Sequence, residues 1–144
     1  MSVADTIQGH ILRLHQKLYE RSDGMVGHRI LGVPALLLRT TGRHSGAQRC
    51  SALMYAADGP NYVVVASNGG SDRPPGWLHN VRAKPEVEIQ IGRTRKPATA
   101  HVVESGDAEY ARLWKLVNDN NRGRYDAYQQ HTARPIPLVV ASPA

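Results

Sequence analysis

At 144 residues the chain is long enough for one domain with its own core, and its single cysteine, Cys50, excludes an intramolecular disulfide framework and a cysteine-built zinc cluster. Its net charge of +6 attracts polyanions, yet the basic residues are scattered and form no consecutive run of the kind that marks a nucleic-acid tail. The first residues lack the basic-then-apolar order of a secretory signal, and no apolar run reaches membrane-span length, so a cytoplasmic protein is expected.

Residues Asp5 to Glu20 read as the first helix, with Ile7, Ile11, Leu14 and Leu18 on one face, Asp5 as N-cap and Gly24 as stop. Packing onto a sheet is the expected use of that face. A basic membrane-surface anchor is the alternative, which leaves peripheral membrane association open. A loop from Ser22 to Gly32 follows. Two short apolar runs, Val33 to Leu38 and Ala52 to Ala56, then read as the arms of a β-hairpin around Thr40 to Ser51. Gly42 and Gly46 mark the reversal. Arg43, His44 and Arg49 bring charge to this loop, and Thr40, Thr41, Ser45 and Ser51 add hydroxyls. Guanidinium forks, hydroxyls and open amides suit a multiply charged anion, although the same pattern fits an ordinary polar hairpin tip.

Asp58-Gly59 is a turn signal, and Tyr62 to Ala66 is the strongest β segment. It runs into Ser67 to Pro75, a loop rich in glycine and proline where backbone can approach a planar ligand. Gly76 to Ala83 reads as a helix stopped before Pro85. Val87, Ile89 and Ile91 alternate with polar residues as a half-buried strand, Gly92 to Pro97 reverses the chain, and Ala98 to Val103 returns. A helix from about Asp107 to Val117 carries Tyr110, Leu113, Trp114 and Val117 as a core stripe. Asn118 to Thr132 is polar and tyrosine-bearing, and Ile136 to Val140 closes the chain as a strand. The pattern predicts an α+β, mainly β fold. It is a single unit over 1–144, with a helix and loop at 1–32 and about six mostly antiparallel strands in a small barrel with helices packed outside at 33–144.

No metal site is expected, because the histidines at 10, 15, 28, 44, 79, 101 and 131 form no ligand-spaced pair and no carboxylate cluster accompanies them. A nucleophile elbow, a Walker-type phosphate loop and a dinucleotide glycine fingerprint are all missing from the sequence. On a strand, Cys50 reads as a small buried apolar residue.

Thr41-Gly42-Arg43-His44-Ser45-Gly46-Ala47-Gln48-Arg49 resembles the Thr-Gly-Arg-Lys-Ser-Gly-x-x-Arg signature of the deazaflavin-dependent nitroreductases of actinobacteria. Val64 to Gly70, Pro75 to Pro85 and Tyr125 to Pro137 resemble that family's later motifs, in the same order. The resemblance implies a split β-barrel that binds coenzyme F420, a deazaflavin with a phosphate and an oligoglutamate tail. It also implies hydride transfer to a small electron-poor acceptor such as a quinone, nitroaromatic or unsaturated carbonyl compound. By that resemblance Arg43, His44, Ser45, Arg49 and Ser51 hold the phosphate and tail. Leu53, Met54, Ala66, Ser67, Asn68 and Gly69 border the ring, with Trp77 and Asn80 completing the pocket. Met54, Tyr125 and Tyr128 face the substrate, and Tyr125 and Ser67 are the candidate catalytic residues.

The chain departs from the family pattern at His44 and Asn68, where positive charge is usual, and at Met54 and Arg122, where the nitroimidazole-activating member has tyrosines. Two other readings stay open: an FMN-binding oxidoreductase on the same barrel, and a non-catalytic protein that binds F420 or another polyanion. Nucleic acid is not an expected partner, and the oligomeric state is not legible.

Overall fold

The computed structural model describes residues 29–30 and 33–144. The predicted helix at Asp5 to Glu20 lies outside the described residues. The described residues form eight strands: β1 (Arg29–Ile30), β2 (Val33–Thr41), β3 (Gln48–Met54), β4 (Ala56–Asp58), β5 (Asn61–Val65), β6 (Glu86–Ile91), β7 (Thr94–Val103) and β8 (Leu138–Pro143). Three α-helices accompany them: α1 (Gly76–Ala83), α2 (Tyr110–Asn120) and α3 (Arg124–Gln130). None of the described helices is long and apolar enough to cross a membrane.

Every pairing is antiparallel, and the sheet runs β1-β2-β6-β7-β8-β5-β4, with β3 on the other side of β2. Only Tyr55 separates the end of β3 from the start of β4, although these strands stand at opposite ends of that order. One residue spans no more than about 3.6 Å, so the sheet must curl until its two ends meet. They meet without a ladder between β3 and the β4–β5 hairpin among the described residues, which makes this a barrel with a split.

The core confirms the curl. Leu36 and Leu38 of β2, Val64 of β5, Val87 and Ile89 of β6, Ala98 and Ala100 of β7, and Val139 and Ala141 of β8 form one buried cluster. Residues from strands so far apart in the order touch only if the sheet wraps around them. Trp77, Leu78 and Val81 of α1 join this cluster. The alternate residues Val63, Val65, Val103 and Leu138 point outward and are covered by Leu113 and Val117 of α2 and Tyr125 of α3. Arg112 fastens α2 to the β4–β5 turn with two hydrogen bonds to the Asp58 carboxylate, at 2.9 and 3.0 Å. That pair is exposed, so it steers more than it stabilises.

Several boundaries differ from the sequence reading. The hairpin ladder extends through Thr40↔Arg49 and Thr41↔Gln48, so Thr40, Thr41, Arg49 and Ser51 stand on strands and not in the loop. A ladder uses backbone groups and tolerates polar side chains on its exposed face. In the β6–β7 hairpin Ile91 pairs with Thr94, so the reversal takes Gly92 and Arg93 alone and Pro97 lies inside β7. Pro97 is tolerated because its carbonyl, and therefore its missing N–H, faces only Ala144, beyond the β7–β8 ladder. The last strand begins at Leu138, not Ile136, since Pro137 has no N–H to give to a ladder. Helix α3 lies within the segment read as polar and tyrosine-bearing, and its buried Tyr125 packs against Trp114 of α2.

Candidate functional site

A cavity of about 780 Å³ opens along the split. Its walls come from the β2–β3 loop, β3, the segment after β5, the start of α1, and the α2–α3 turn with Tyr125 and Tyr128. The Tyr55 amide donates to the Pro34 carbonyl at 3.1 Å, which sets the alternation along β3. By that alternation the backbone groups of Ala52 and Met54 point away from β2, toward the split. Both residues line the cavity, so a free strand edge forms part of its wall.

The hairpin loop is a tight turn. The Gly42 amide donates to the Ala47 carbonyl at 2.7 Å, and the Gly46 amide to the Gly42 carbonyl at 2.8 Å. A Cβ on Gly42 would stand 3.1 Å from both the Ala47 carbonyl oxygen and Ser45 Oγ, and 3.6 Å from Arg49 Nε. Glycine there lets the Arg49 guanidinium lie across the turn. Asn80 of α1 braces the loop: its Oδ1 accepts from the Arg43 amide at 3.1 Å, and its Nδ2 donates to Thr40 Oγ1 at 3.2 Å. Asn80 therefore lines the cavity mainly as a strut, its amide engaged within the protein.

The second wall is the segment Asn68-Gly69-Gly70, in which all three residues have positive φ (46°, 65° and 85°). Asparagine and glycine are the residues that adopt this conformation at least cost, which accounts for the composition of the motif. Arg134 clasps the turn from outside the cavity. Its Nη2 donates to the carbonyls of Ala66 and Ser67 at 3.2 and 2.9 Å, and its Nε to that of Ser71 at 2.9 Å. Thr132 Oγ1 donates to Asp72 at 2.7 Å, and Gln129 Nε2 donates to the Arg134 carbonyl at 2.8 Å. The segment after α3 thus holds the loop that faces the ligand space.

The third wall is aromatic. Tyr125 and Tyr128 meet edge-on with ring centroids 6.0 Å apart, Trp114 lies 6.3 Å from Tyr125, and Tyr110 stacks on Trp114 at 5.6 Å. Tyr125 is 6% exposed and hydrogen-bonded to the Asn121 side chain; burial is the main cause that pushes its phenol well above the ordinary value of 10. Burial likewise pushes Tyr110 up to about 12. Both therefore stay protonated at physiological pH. For a phenol whose folded value lies above its unfolded one, the stabilisation is complete below pH 10. It is lost as pH rises from there through the folded value. For a buried group such as Tyr125 the expected slope is about 1.4 kcal/mol per pH unit. Urea midpoints measured below and above pH 10 should show this fall, and Tyr125→Phe should flatten it. A wild-type midpoint that stays level there rules the effect out.

Electrostatics decide what the cavity accepts. Arg43, His44, Arg49 and Arg73 border it, and no aspartate or glutamate among the described residues does. Arg43, Arg49 and Arg73 form no ion pair among the described residues, whereas Arg39, Arg82, Arg112 and Lys115 all do. A cationic mouth without carboxylates selects anions. No group of three or more histidines, cysteines or carboxylates that could hold a metal occurs among the described residues.

Of the residues that the sequence reading placed at a site, Arg43, His44, Ser45, Arg49, Ser51, Leu53, Met54, Ser67, Asn68, Gly69, Trp77, Asn80, Tyr125 and Tyr128 all line this cavity. Ala66 does not. It is fully buried in the barrel interior, because strand alternation turns Val65 toward the cavity and Ala66 inward. Cys50 is half-buried at the cavity wall instead of in the core. Arg73, Pro74, Asn121 and Val65 border the cavity without having been read from the sequence. For Arg73 the signal was present, a lone basic residue in the glycine- and proline-rich loop. For Asn121 there was none.

Comparison with known proteins places this geometry. Residues 11–143 match the family model described as F420H(2)-dependent quinone reductase. An F420H(2)-dependent quinone reductase of Mycobacterium tuberculosis is 48% identical over 145 aligned positions, covering 97% of each chain. The solved structure of an F420-H2 dependent reductase, FDR-A, is similar with a TM-score of 0.68 at 36% identity, over 76% of this chain and 94% of that one. A further solved structure, a domain-swapped dimer, has a TM-score of 0.70 at 32% identity, over 98% of this chain and all of its own.

Proposed function

The chain belongs to the F420H(2)-dependent quinone reductase family, and from that premise we propose that its cavity binds coenzyme F420 and reduces quinones with it. The protein is an oxidoreductase on a split β-barrel. The observation that carries the cofactor reading is the mouth of the cavity: basic side chains from two separate segments, with no carboxylate beside them among the described residues. The first turn of α1 lies at the same mouth with no side-chain cap on its N-terminus, which adds favourable partial positive charge. F420 fits this donor set, since its phosphate and oligoglutamate tail need cations and its ring needs a flat, mostly apolar slot.

In this reading Arg43, His44, Ser45 and Arg49 hold the phosphate and tail, with Ser51 beside them. Leu53, Met54 and Trp77 bound the ring, and the free edge of β3 at Ala52 and Met54 offers backbone donors and acceptors to a heterocycle. Reduced F420 supplies a two-electron hydride donor when bound. Ser67, Asn68 and Gly69 form the wall held by Arg134 and fix where the ring can lie. Tyr125, Tyr128 and Asn121 face the remaining space, which suits an acceptor with carbonyl oxygens. Tyr125 keeps its proton at Oη because burial disfavours the phenolate, so it can donate to an acceptor oxygen as negative charge builds there. Ser67 is the second hydroxyl on that wall, 7% exposed. Catalysis here is mainly positioning and exclusion of water, which agrees with a sequence that carries no nucleophile-elbow motif. Nitroaromatic and unsaturated carbonyl acceptors are further candidates for the same geometry.

The test is fluorescence titration with F420 and, separately, with FMN, followed by turnover of F420H2 with a soluble quinone. Tight F420 binding, weak FMN binding and quinone-dependent oxidation are the expected outcome. Preference for FMN, or binding without turnover, overturns the proposal. Removing one charge-assisted contact costs about 1.5–3 kcal/mol, so Arg49→Ala should weaken F420 binding by about tenfold or more. Unchanged affinity in that variant removes Arg49 from the tail site.

A further inference from the structure

We propose that Arg73 is a second, opposing arm of the tail site, so that the coenzyme's charged tail is gripped from two sides. This inference rests on the F420 reading above. Arg43 and Arg49 approach the cavity from the β2–β3 hairpin; Arg73 approaches it from the segment that enters α1. The two segments are brought together by Asn80, which belongs to α1 and receives the Arg43 amide.

The backbone of Arg73 is pinned on both sides. Asn68 Nδ2 donates to its carbonyl at 2.9 Å, and its own amide donates to Ser71 Oγ at 3.2 Å. Pro74 and Pro75 follow directly and restrict the chain behind it. The adjacent carboxylate, Asp72, accepts from Thr132 instead, and Arg73 makes no ion pair among the described residues. A cation at the rim of a cavity that no carboxylate among the described residues lines, on a fixed backbone and with its near neighbour engaged elsewhere, is positioned for a ligand's anionic groups. Its side chain is exposed and borders the cavity, so it is open to a flexible anionic tail. Its role is therefore to count negative charge on the ligand and not to recognise the ring.

The experiment compares F420 with the same deazaflavin stripped of phosphate and tail, using wild type, Arg73→Gln and Arg73→Lys, with thermal unfolding of each variant as the folding control. An exposed charge contact of about 1 kcal/mol corresponds to about fivefold in affinity. Arg73→Gln should therefore raise the Kd for F420 about fivefold at low salt. The difference should shrink as salt is added, and the stripped ring should bind as it does to wild type. Arg73→Lys should restore most of the loss. Equal losses for both ligands mean that the substitution disturbs the loop, and no loss means that the side chain is idle; either result overturns the inference while leaving the F420 reading intact. If wild type binds neither ligand, the F420 reading itself fails and takes this one with it.

Discussion

Substitution of Gly70 by alanine is expected to lower stability by about 3 kcal/mol, from left-handed strain and overpacking together. A Cβ at Gly70 would stand 2.8 Å from the Tyr128 carbonyl oxygen and 3.1 Å from Tyr128 Cα, and the residue has φ +85°. The clash is with helix backbone, not with the tip of a mobile side chain, so a rotamer change cannot relieve it. Either the Asn68–Gly70 turn or α3 must move, and both border the cavity. For a domain of this size the loss corresponds to a drop in Tm of about 6–12 °C. F420 binding should weaken in parallel, because Tyr125 and Tyr128 ride on α3. A variant that melts within a degree or two of wild type would show that α3 is free to yield.

The comparable prediction at the opposite side of the same turn concerns Arg134. Arg134→Met keeps much of the stem but removes the donors to three carbonyls, those of Ala66, Ser67 and Ser71. Ala66 is fully buried and Ser67 is 7% exposed, so water cannot easily replace the lost partners. Leaving such groups unsatisfied costs about 1–3 kcal/mol each before relaxation, and we expect a net loss of about 3 kcal/mol. Arg134→Lys should recover only part of it, since an ammonium cannot copy the planar fork that spans these oxygens. Urea denaturation measures the loss. A loss below about 1 kcal/mol would mean that the turn holds its shape by backbone preference alone, as its Asn-Gly-Gly composition also allows.

Much of the frame was legible because its causes are local. The alternation in Val87, Ile89 and Ile91 places β6, and the Pro85 stop after Ala83 bounds α1 where the structure ends it. The Gly42–Gly46 spacing marks the hairpin turn, and Asn-Gly-Gly marks a segment of positive φ. Each signal depends on residues within a turn or two of one another. Motif resemblance then extended the reading to Trp77, Tyr125 and Tyr128, whose place at a site no local pattern marks.

What was not legible depended on contacts between distant segments. Helix α3 is polar throughout its exposed side, and its place is set by Gly70, the Trp114–Tyr125 contact and the hydrogen bond from Trp114 Nε1 to Asp126 at 2.7 Å. The choice of Val65 over Ala66 at the cavity required the register of β5 against β8. Nothing near Arg134 in the chain announces that its guanidinium binds carbonyls more than sixty positions earlier.

The sequence by itself determined about six of the strands, their turns and a basic hairpin, because backbone preference and hydrophobic period act over a few residues. Tertiary structure alone decided that the sheet closes at Tyr55, that the free edge of β3 becomes a wall, and that no carboxylate among the described residues borders the mouth. Those are properties of how the ends of a curled sheet meet, and no short window of residues contains both ends.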